Sequence, residues 1–276
     1  MGSDARVYVF DDAEYASSVV PTLHQLLETG SYPEWLRELI ASRCSEIDLA
    51  QLGAGRFSFP SVCHYLDSDF SFSGEGSDQW SAGWAERSCK SKMCTARATC
   101  PLHETQARTA MQEDFNIVHE SCVVARCVGR CQFVGRSVSP MWYVGVLTKM
   151  NVPADHKIHE YLRLLEYRGF VVGYQFSNSD GIHGWLSAKE NAEFANVLDD
   201  LELPEFERSF ECMEHFYRKP ERGECVFNAG YIAPKPYSFE HLSLAFVRAV
   251  CTIAEAERKG VLWGNDLVTY WLDRDN

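Results

Sequence analysis

Several features that mark familiar classes of protein are missing from this chain. No window approaches about 18 consecutive apolar residues, so we expect no membrane-spanning helix and no membrane partner. The N-terminal MGSDARVYVFDDAEY has no basic region followed by an apolar core, so we expect no secretory signal and a cytoplasmic location, where thiols stay reduced. A G-x-S-x-G elbow, a P-loop and a dinucleotide fingerprint are all absent. The common catalytic motifs therefore provide no candidate active site.

Basic residues are also scarce. The chain has 26 Lys and Arg against 39 Asp and Glu, a formal net charge of -13. Phosphate affinity comes from many Lys and Arg contacts, so we expect no nucleic-acid partner for the chain as a whole. The charge is uneven, because residues 87–136 hold eight basic and four acidic residues and the remainder is at -17. An acidic remainder of this kind favours a basic protein partner that is met by electrostatic steering.

The chain contains enough apolar sequence for a core. Its 276 residues are 46% hydrophobic and 24% charged, which is typical of a globular protein that folds without disulfides. The alternating RVYVF at residues 6–10 predicts a strand, and apolar residues at helical spacing predict one helix ending at Gly30 and another after Pro33. Residues 53–83 are rich in Gly, Ser and Asp without helical period and predict a long loop.

The later part of the chain has clearer patterns. The apolar run MWYVGVL, residues 141–147, predicts a strand, and Pro153 is the expected start of a helix that ends near Gly169. FVVGYQF, residues 170–176, predicts another strand. Ser187 and Glu190 form the sequence pattern of a capping box at the start of a helix. A long helix is expected over residues 238–259, followed by the short apolar strand VLW.

These elements predict an α+β fold, with mixed α/β as the alternative. Helices should cover a small sheet, and the C-terminal half should be rich in helix. We expect residues 1–276 to form one domain, and two domains remain the alternative. Its sub-regions would be a strand and two helices at 1–52, a loop and cysteine-rich segment at 53–150, and a helix-rich segment at 151–276.

The eleven cysteines are the most distinctive chemical feature of the sequence. Their odd number rules out complete disulfide pairing in a monomer. Two groups combine cysteine with histidine, as C-x4-C-x5-C-x2-H and then as H-x2-C-x4-C-x3-C, and either offers three thiolates and one imidazole for a tetrahedral zinc. The candidate ligands are Cys89, Cys94, Cys100 and His103 in the first group and His119, Cys122, Cys127 and Cys131 in the second.

The sequence leaves three interpretations of these cysteines open. They are structural zinc ligands, from one group or from both jointly; or buried thiols that act as small core hydrophobes; or redox or catalytic thiols. The order C, C, C, H in the first group resembles the CCCH class of zinc fingers, and that resemblance implies contact with RNA. Lys90, Lys92 and Arg97 lie among these cysteines and are candidate anion-binding residues. A zinc site here would order a segment in which we identify no helix or strand.

Other residues form weaker candidate sites. His156 and His159 lie three apart on one face of the predicted helix, a geometry that binds metal, with solvent-facing polar residues as the other interpretation. Trp80 and Trp84, in the predicted loop, are candidate aromatic anchors for a partner.

One resemblance reaches across the chain. The segments VYVFDDAEY, GWLSAKENAEFANVLDDL (residues 184–201) and GVLWGND (residues 260–266) resemble uncharacterised bacterial proteins of the polymorphic-toxin immunity type. The resemblance implies a cytoplasmic, acidic protein that binds and blocks a toxin domain without catalysis.

The sequence therefore leaves three hypotheses for function. The first is a non-enzymatic, immunity-like binding protein that engages a basic protein partner through its acidic surface. The second is a zinc-stabilised module whose basic, cysteine-rich segment contacts nucleic acid or another anion. The third is a cysteine-dependent hydrolase or transferase.

Overall fold

The computed structural model describes residues 4–52, 106–136, 138–168, 181–204 and 238–267. Within these residues the fold is α+β, as predicted, with helices and a four-stranded antiparallel sheet. No helix in this part of the chain combines the length and the apolar character needed to cross a membrane. The predicted loop at 53–83 and the predicted strand at 170–176 lie outside the described residues.

The strands are β1 (Asp4–Phe10), β2 (Val128–Arg136), β3 (Gly181–Leu186) and β4 (Gly260–Asn265). The helices are α1 (Asp12–Glu14), α2 (Val20–Thr29), α3 (Glu34–Arg43), α4 (Leu49–Leu52), α5 (Gln106–Arg126), α6 (Tyr143–Lys149), α7 (Ile158–Tyr167), α8 (Ala188–Asp199) and α9 (Phe239–Ala256). A π-helical turn, Tyr15–Val19, joins α1 to α2, and a 3₁₀ turn, Pro140–Trp142, precedes α6.

The sheet has the strand order β2-β1-β4-β3. Its central pair joins strands from opposite ends of the sequence, with β1 and β4 antiparallel in a register that runs from Ala5 opposite Asn265 to Phe10 opposite Gly260. All six residues of β3 and all six of β4 are buried. Because β1 and β4 are far apart in the sequence, local sequence patterns could predict each strand but not that the two strands pair.

The described residues fall into two compact units. The first draws on Met1–Asp11, Gly129–Glu166 and His183–Asp266, and it holds the sheet with α6, α8 and α9. Helix α9 packs against β1, β4, α6 and α8, which explains why every residue from Leu242 to Cys251 is buried. The second unit draws on Asp12–Val128, Tyr167–Ile182 and Leu267–Asn276. There α5 packs against the π-helical turn, α3 and α4.

The predicted helix boundaries are mostly confirmed. Gly30 ends α2 in the left-handed conformation (φ 72°), which glycine adopts without steric cost. Ser187 and Glu190 form the predicted capping box at the start of α8, each side chain accepting the other residue's backbone N–H. Helix α7 begins at Ile158 rather than at Pro153, because residues 153–157 form turns closed by His156 N–H donating to the Pro153 carbonyl.

The strand predicted at residues 141–147 is wrong. This segment forms the 3₁₀ turn and α6, with Tyr143, Val146 and Leu147 buried. Those three residues follow the i, i+3, i+4 spacing of a helix. Pro140 favours a helical start because its φ is fixed near the helical value, and because the N–H that proline lacks would have no partner in the first turn of a helix. The second cysteine group also lies largely in regular structure, although we identified no helix or strand there. His119 and Cys122 are on α5, Cys131 is on β2, and Cys127 lies in the turn between them.

Candidate functional site

Much of the predicted site lies outside the described residues. This applies to the first cysteine group, to the candidate aromatic anchors and to the basic residues near them: Cys89, Cys94, Cys100, His103, Trp80, Trp84, Lys90, Lys92 and Arg97. Their roles as ligands or contacts stay predictions. The second group, from His119 to Cys131, can be followed residue by residue.

His119 belongs to a buried pair with Tyr15 in the second unit. Its side chain projects from α5 and is 3% exposed, and its Nε2 lies 3.0 Å from the hydroxyl of Tyr15. The two rings meet edge to face with centroids 5.9 Å apart. Tyr15 opens the π-helical turn, an insertion often found at functional sites. Burial lowers the pKa of His119 to about 4, so the imidazole is neutral at pH 7 and keeps one nitrogen as an acceptor.

Cys122 and Cys127 lie close to the same pair. Both side chains are buried. Burial is the main cause that raises the pKa of Cys122, and the neighbouring Cys127 raises it further. Burial likewise raises the pKa of Tyr15, with the two cysteines as smaller causes. Because metals and electrophiles react with the thiolate, the raised pKa of Cys122 matches the buried-core interpretation of that cysteine better than the nucleophile interpretation.

The structure describes three further cysteines. Cys131 lies on β2 and is partly exposed, whereas Cys44 and Cys251 are buried. Burial is the main cause that raises the pKa of both buried thiols. Within the described ranges, no group of three or more His, Cys, Asp and Glu side chains is placed to hold a metal ion. Half of the candidate zinc ligands lie outside these ranges, and zinc binding stays a prediction.

The predicted pairing of His156 with His159 on one helical face is wrong. His156 precedes the first residue of α7, while His159 lies within the first turn and is buried rather than solvent-facing. The Nε2 of His159 is 3.1 Å from the carbonyl oxygen of Pro153. Burial lowers the pKa of His159, and this bond opposes the shift. The imidazole therefore stabilises the turn that precedes α7 through its contact with the Pro153 carbonyl.

An acidic surface lies at the C-terminal end of α8. Asp199, Asp200 and Glu202 follow one another there, and all three are exposed. The last turn of α8 contains no basic residue, although cations are the favourable partners of a helix C-terminus. Arg248 of α9 approaches this surface. Its side chain is 3% exposed, its Nε lies 3.9 Å from the Asp199 carboxylate, and its Nη2 donates to the carbonyl of Pro204.

Two aromatic side chains are exposed in the first unit. Trp142 is 38% exposed and Phe239 is 37% exposed. Among the residues that the structure describes, these two large hydrophobic side chains are exposed to solvent. The turn that bears Trp142 is anchored by Met141 N–H, which donates to the carboxylate of Glu166 over 3.1 Å. Neither residue was among the predicted site residues, because Trp142 lies in the run predicted to be a strand and Phe239 lies at the start of a predicted apolar helix.

Comparison with known proteins identifies no relative. No protein-family model, curated protein or solved structure matches this chain. The resemblances to toxin-immunity proteins and to CCCH zinc fingers therefore rest on short sequence segments and stay predictions.

Proposed function

We propose that this protein is a non-enzymatic, cytoplasmic binding protein of the immunity type, which engages a basic protein partner through an acidic surface. The observation that carries the proposal is the group Asp199, Asp200 and Glu202 at the C-terminal end of α8. We call this group the α8 acidic surface.

The position of these carboxylates is unfavourable for the isolated fold. The C-terminus of a helix carries a partial negative charge, and a like charge beside it costs about 0.3–1 kcal/mol. Arg248 lies close to Asp199, but no ion pair joins Asp200 or Glu202 to any residue that the structure describes. Like charges in sequence also repel one another, with the repulsion reduced by solvent and salt. Lysine or arginine side chains from a partner would relieve both effects.

The non-enzymatic part of the proposal is supported by the described thiols. Cys44, Cys122 and Cys251 are buried with raised pKa values, so they are poor nucleophiles at pH 7. His119, the histidine of the second cysteine group, is buried and contacts the Tyr15 hydroxyl. These residues contribute to a core rather than to an accessible catalytic centre.

Charge-neutralised variants test the proposal. Asp199→Asn, Asp200→Asn and Glu202→Gln together remove three charges from the α8 acidic surface. The matched control removes three charges from other exposed positions by Glu38→Gln, Glu46→Gln and Glu160→Gln. Each purified protein is used to capture partners from a lysate of the source organism at about 50 mM and about 500 mM salt, and the captured proteins are quantified by mass spectrometry.

The expected result is specific to the surface. Wild type and the control should retain the same basic protein at low salt, and the α8 variant should lose it by at least about tenfold. High salt should release it from all three, because steering between exposed charges is screened. Equal retention by the α8 variant and the control would refute the proposed surface, and capture of no basic protein by wild type would refute the proposed partner class.

A further inference from the structure

The outer side of α6 carries an aromatic ring at one end and a cation at the other. Trp142, which precedes the helix with helical dihedral angles (φ -61°, ψ -32°), is exposed, and so are Gly145 and Lys149. The opposite side of the helix is buried and consists of Tyr143, Val146 and Leu147. Residues at i, i+3 and i+7 lie on one face of a helix. Trp142, Gly145 and Lys149 therefore share one exposed surface, which we call the α6 face.

The ring of Trp142 is held in place by its neighbours. Its backbone N–H donates to the Ser139 carbonyl over 3.0 Å, and the N–H of Met141 donates to the carboxylate of Glu166. The indole meets the buried ring of Tyr143 edge to face, with centroids 5.6 Å apart. A side chain that is already fixed in the free protein loses little conformational entropy on binding. Trp142 is therefore preorganised as an aromatic anchor, the kind of residue that contributes most to protein interfaces.

Gly145 leaves room beside Trp142 for the backbone of another helix. A Cβ atom at this position would meet no atom within 4 Å. Because glycine has no side chain, a second helix can cross α6 here with a short distance between the two backbones. Trp142 lies three residues before this point and Lys149 lies four residues after it. The α6 face is therefore nearly symmetric about Gly145 in position, with an aromatic ring on one side and a cation on the other.

From this arrangement we infer that the α6 face is a contact between two copies of this chain, related by a twofold axis. In a twofold contact the same surface is used by both copies, so that residue i meets residue j and residue j meets residue i. Two antiparallel α6 helices that cross near Gly145 place Trp142 of each copy beside Lys149 of the partner subunit. The face of an indole ring is electronegative and attracts an ammonium group. The α6 face is therefore complementary to itself.

The charge of the α6 face also suits a second copy. The chain has a formal net charge of -13, so two copies repel each other at a distance. Residues 140–149 contain a single charged residue, and it is the cation Lys149. Contact between two α6 faces therefore brings together no carboxylates from this segment. The inference does not depend on the α8 acidic surface, which we propose for a basic partner.

Sedimentation equilibrium measures whether the two copies associate. A helix as short as α6 provides less contact area than a stable dimer needs, so we expect weak association that depends on concentration. At about 150 mM salt, which screens repulsion between distant charges, the average mass should rise from that of the monomer toward that of the dimer between about 5 μM and about 500 μM protein. A mass that stays at the monomer value throughout this range would overturn the inference and leave the α6 face to another partner.

Gly145→Gln tests whether the contact lies on the α6 face. The position is open in the single chain, so the fold should tolerate the new side chain, but in the dimer that side chain would separate the crossing helices. Ala41→Gln, at an exposed position of α3, is the matched control. Gly145→Gln should weaken association by at least about tenfold, and the control should associate like wild type. Circular dichroism checks that both variants keep their helix content. Equal association of Gly145→Gln and wild type would place the contact elsewhere and overturn the inference.

A mixture of two variants tests the pairing of Trp142 with Lys149. Dimers of Trp142→Ala or of Lys149→Ala lack both contacts between ring and cation, whereas a mixed dimer keeps one, because each chain supplies the group that the other lacks. Native mass spectrometry of an equal mixture measures the three dimers. The square of the mixed-dimer population, divided by the product of the other two, should exceed its statistical value by about tenfold, since one exposed cation–π contact contributes about threefold and the ratio squares it. A ratio at or below the statistical value would overturn the twofold pairing.

Discussion

A methyl group added at Gly184 provides the sharpest test of the packing described here. Gly184 lies in β3, where the backbone of α7 approaches so closely that there is no room for a side chain. A Cβ atom would lie 2.8 Å from the carbonyl oxygen of Leu165 and closer still to that of Leu164. Both neighbours are backbone atoms, so relief requires the helix or the strand to move. Gly184→Ala should therefore destabilise the fold.

The magnitude follows from two opposing effects. Overpacking of a well-packed site costs about 1–3 kcal/mol. Alanine also reduces the entropy of the unfolded chain, which returns about 0.4–1 kcal/mol. The free energy of unfolding should therefore fall by roughly 1–2 kcal/mol. Gly145→Ala is the matched control, because a Cβ there meets no atom within 4 Å and the residue lies in α6, where alanine is favoured over glycine by about 0.5–1 kcal/mol.

Urea unfolding followed by tryptophan fluorescence measures both changes. The midpoint should move to lower urea for Gly184→Ala and to higher urea for Gly145→Ala, with unchanged slopes. Equal or greater stability of Gly184→Ala, together with the expected gain at Gly145, would show that α7 does not approach β3 as described. A loss at both positions would instead indicate a general intolerance of alanine.

Three further outcomes are expected from the buried polar groups. Because burial lowers the pKa of His119 to about 4, the unfolded chain binds more protons below pH 6.5. The free energy of unfolding should therefore fall by roughly 3 kcal/mol from pH 6.5 to 4. If the free energy of unfolding of His119→Gln depended on pH as strongly as that of wild type, this prediction would be wrong. Asn191→Ala removes the side-chain donor from one buried and one partly buried backbone carbonyl, those of Cys251 and Lys259. It should cost about 2–3 kcal/mol in urea unfolding, against a negligible change for the exposed Asn196→Ala. Iodoacetamide at pH 8 should modify the partly exposed Cys131 at least about tenfold faster than the buried Cys122, and similar rates would refute the protonated state of that thiol.

The parts of the fold that follow from local chemistry were predictable. Strand β1 alternates, Gly30 allows the left-handed end of α2, and the Ser187 and Glu190 pair caps α8 through contacts three residues apart. Each of these signals acts within one turn or one strand. The α+β class follows from their order along the chain, and it is confirmed.

The segment from Pro140 to Lys149 shows why an apolar run alone is ambiguous. The strand prediction relied on its hydrophobicity, but the side chains buried in the fold are Tyr143, Val146 and Leu147, at helical spacing. Helix α6 packs against α9, where the Tyr143 hydroxyl lies 2.7 Å from the Ser243 hydroxyl. A short apolar segment can form either a strand or a helix, and packing against a neighbouring element decides between them. Here that element is α9, about 100 residues later in the sequence.

The candidate sites show the same limit. Spacing within HESCVVARC could place His119 and Cys122 on one helical face, but it could not predict that Tyr15, about 100 residues earlier, would contact the imidazole. Nor could it predict whether the thiols would be exposed as ligands or buried. Their protonation depends on desolvation by neighbours from other segments.

The sequence by itself determined the acidic balance, the absence of common catalytic motifs and the local starts and stops of the helices, because each depends on composition or on residues within one turn. Tertiary structure decided the pairing of β1 with β4, the burial of His119 and Cys122, and the exposure of Trp142 and Phe239. These features arise from contacts between distant segments, and contact, burial and exposure are properties of the packed chain.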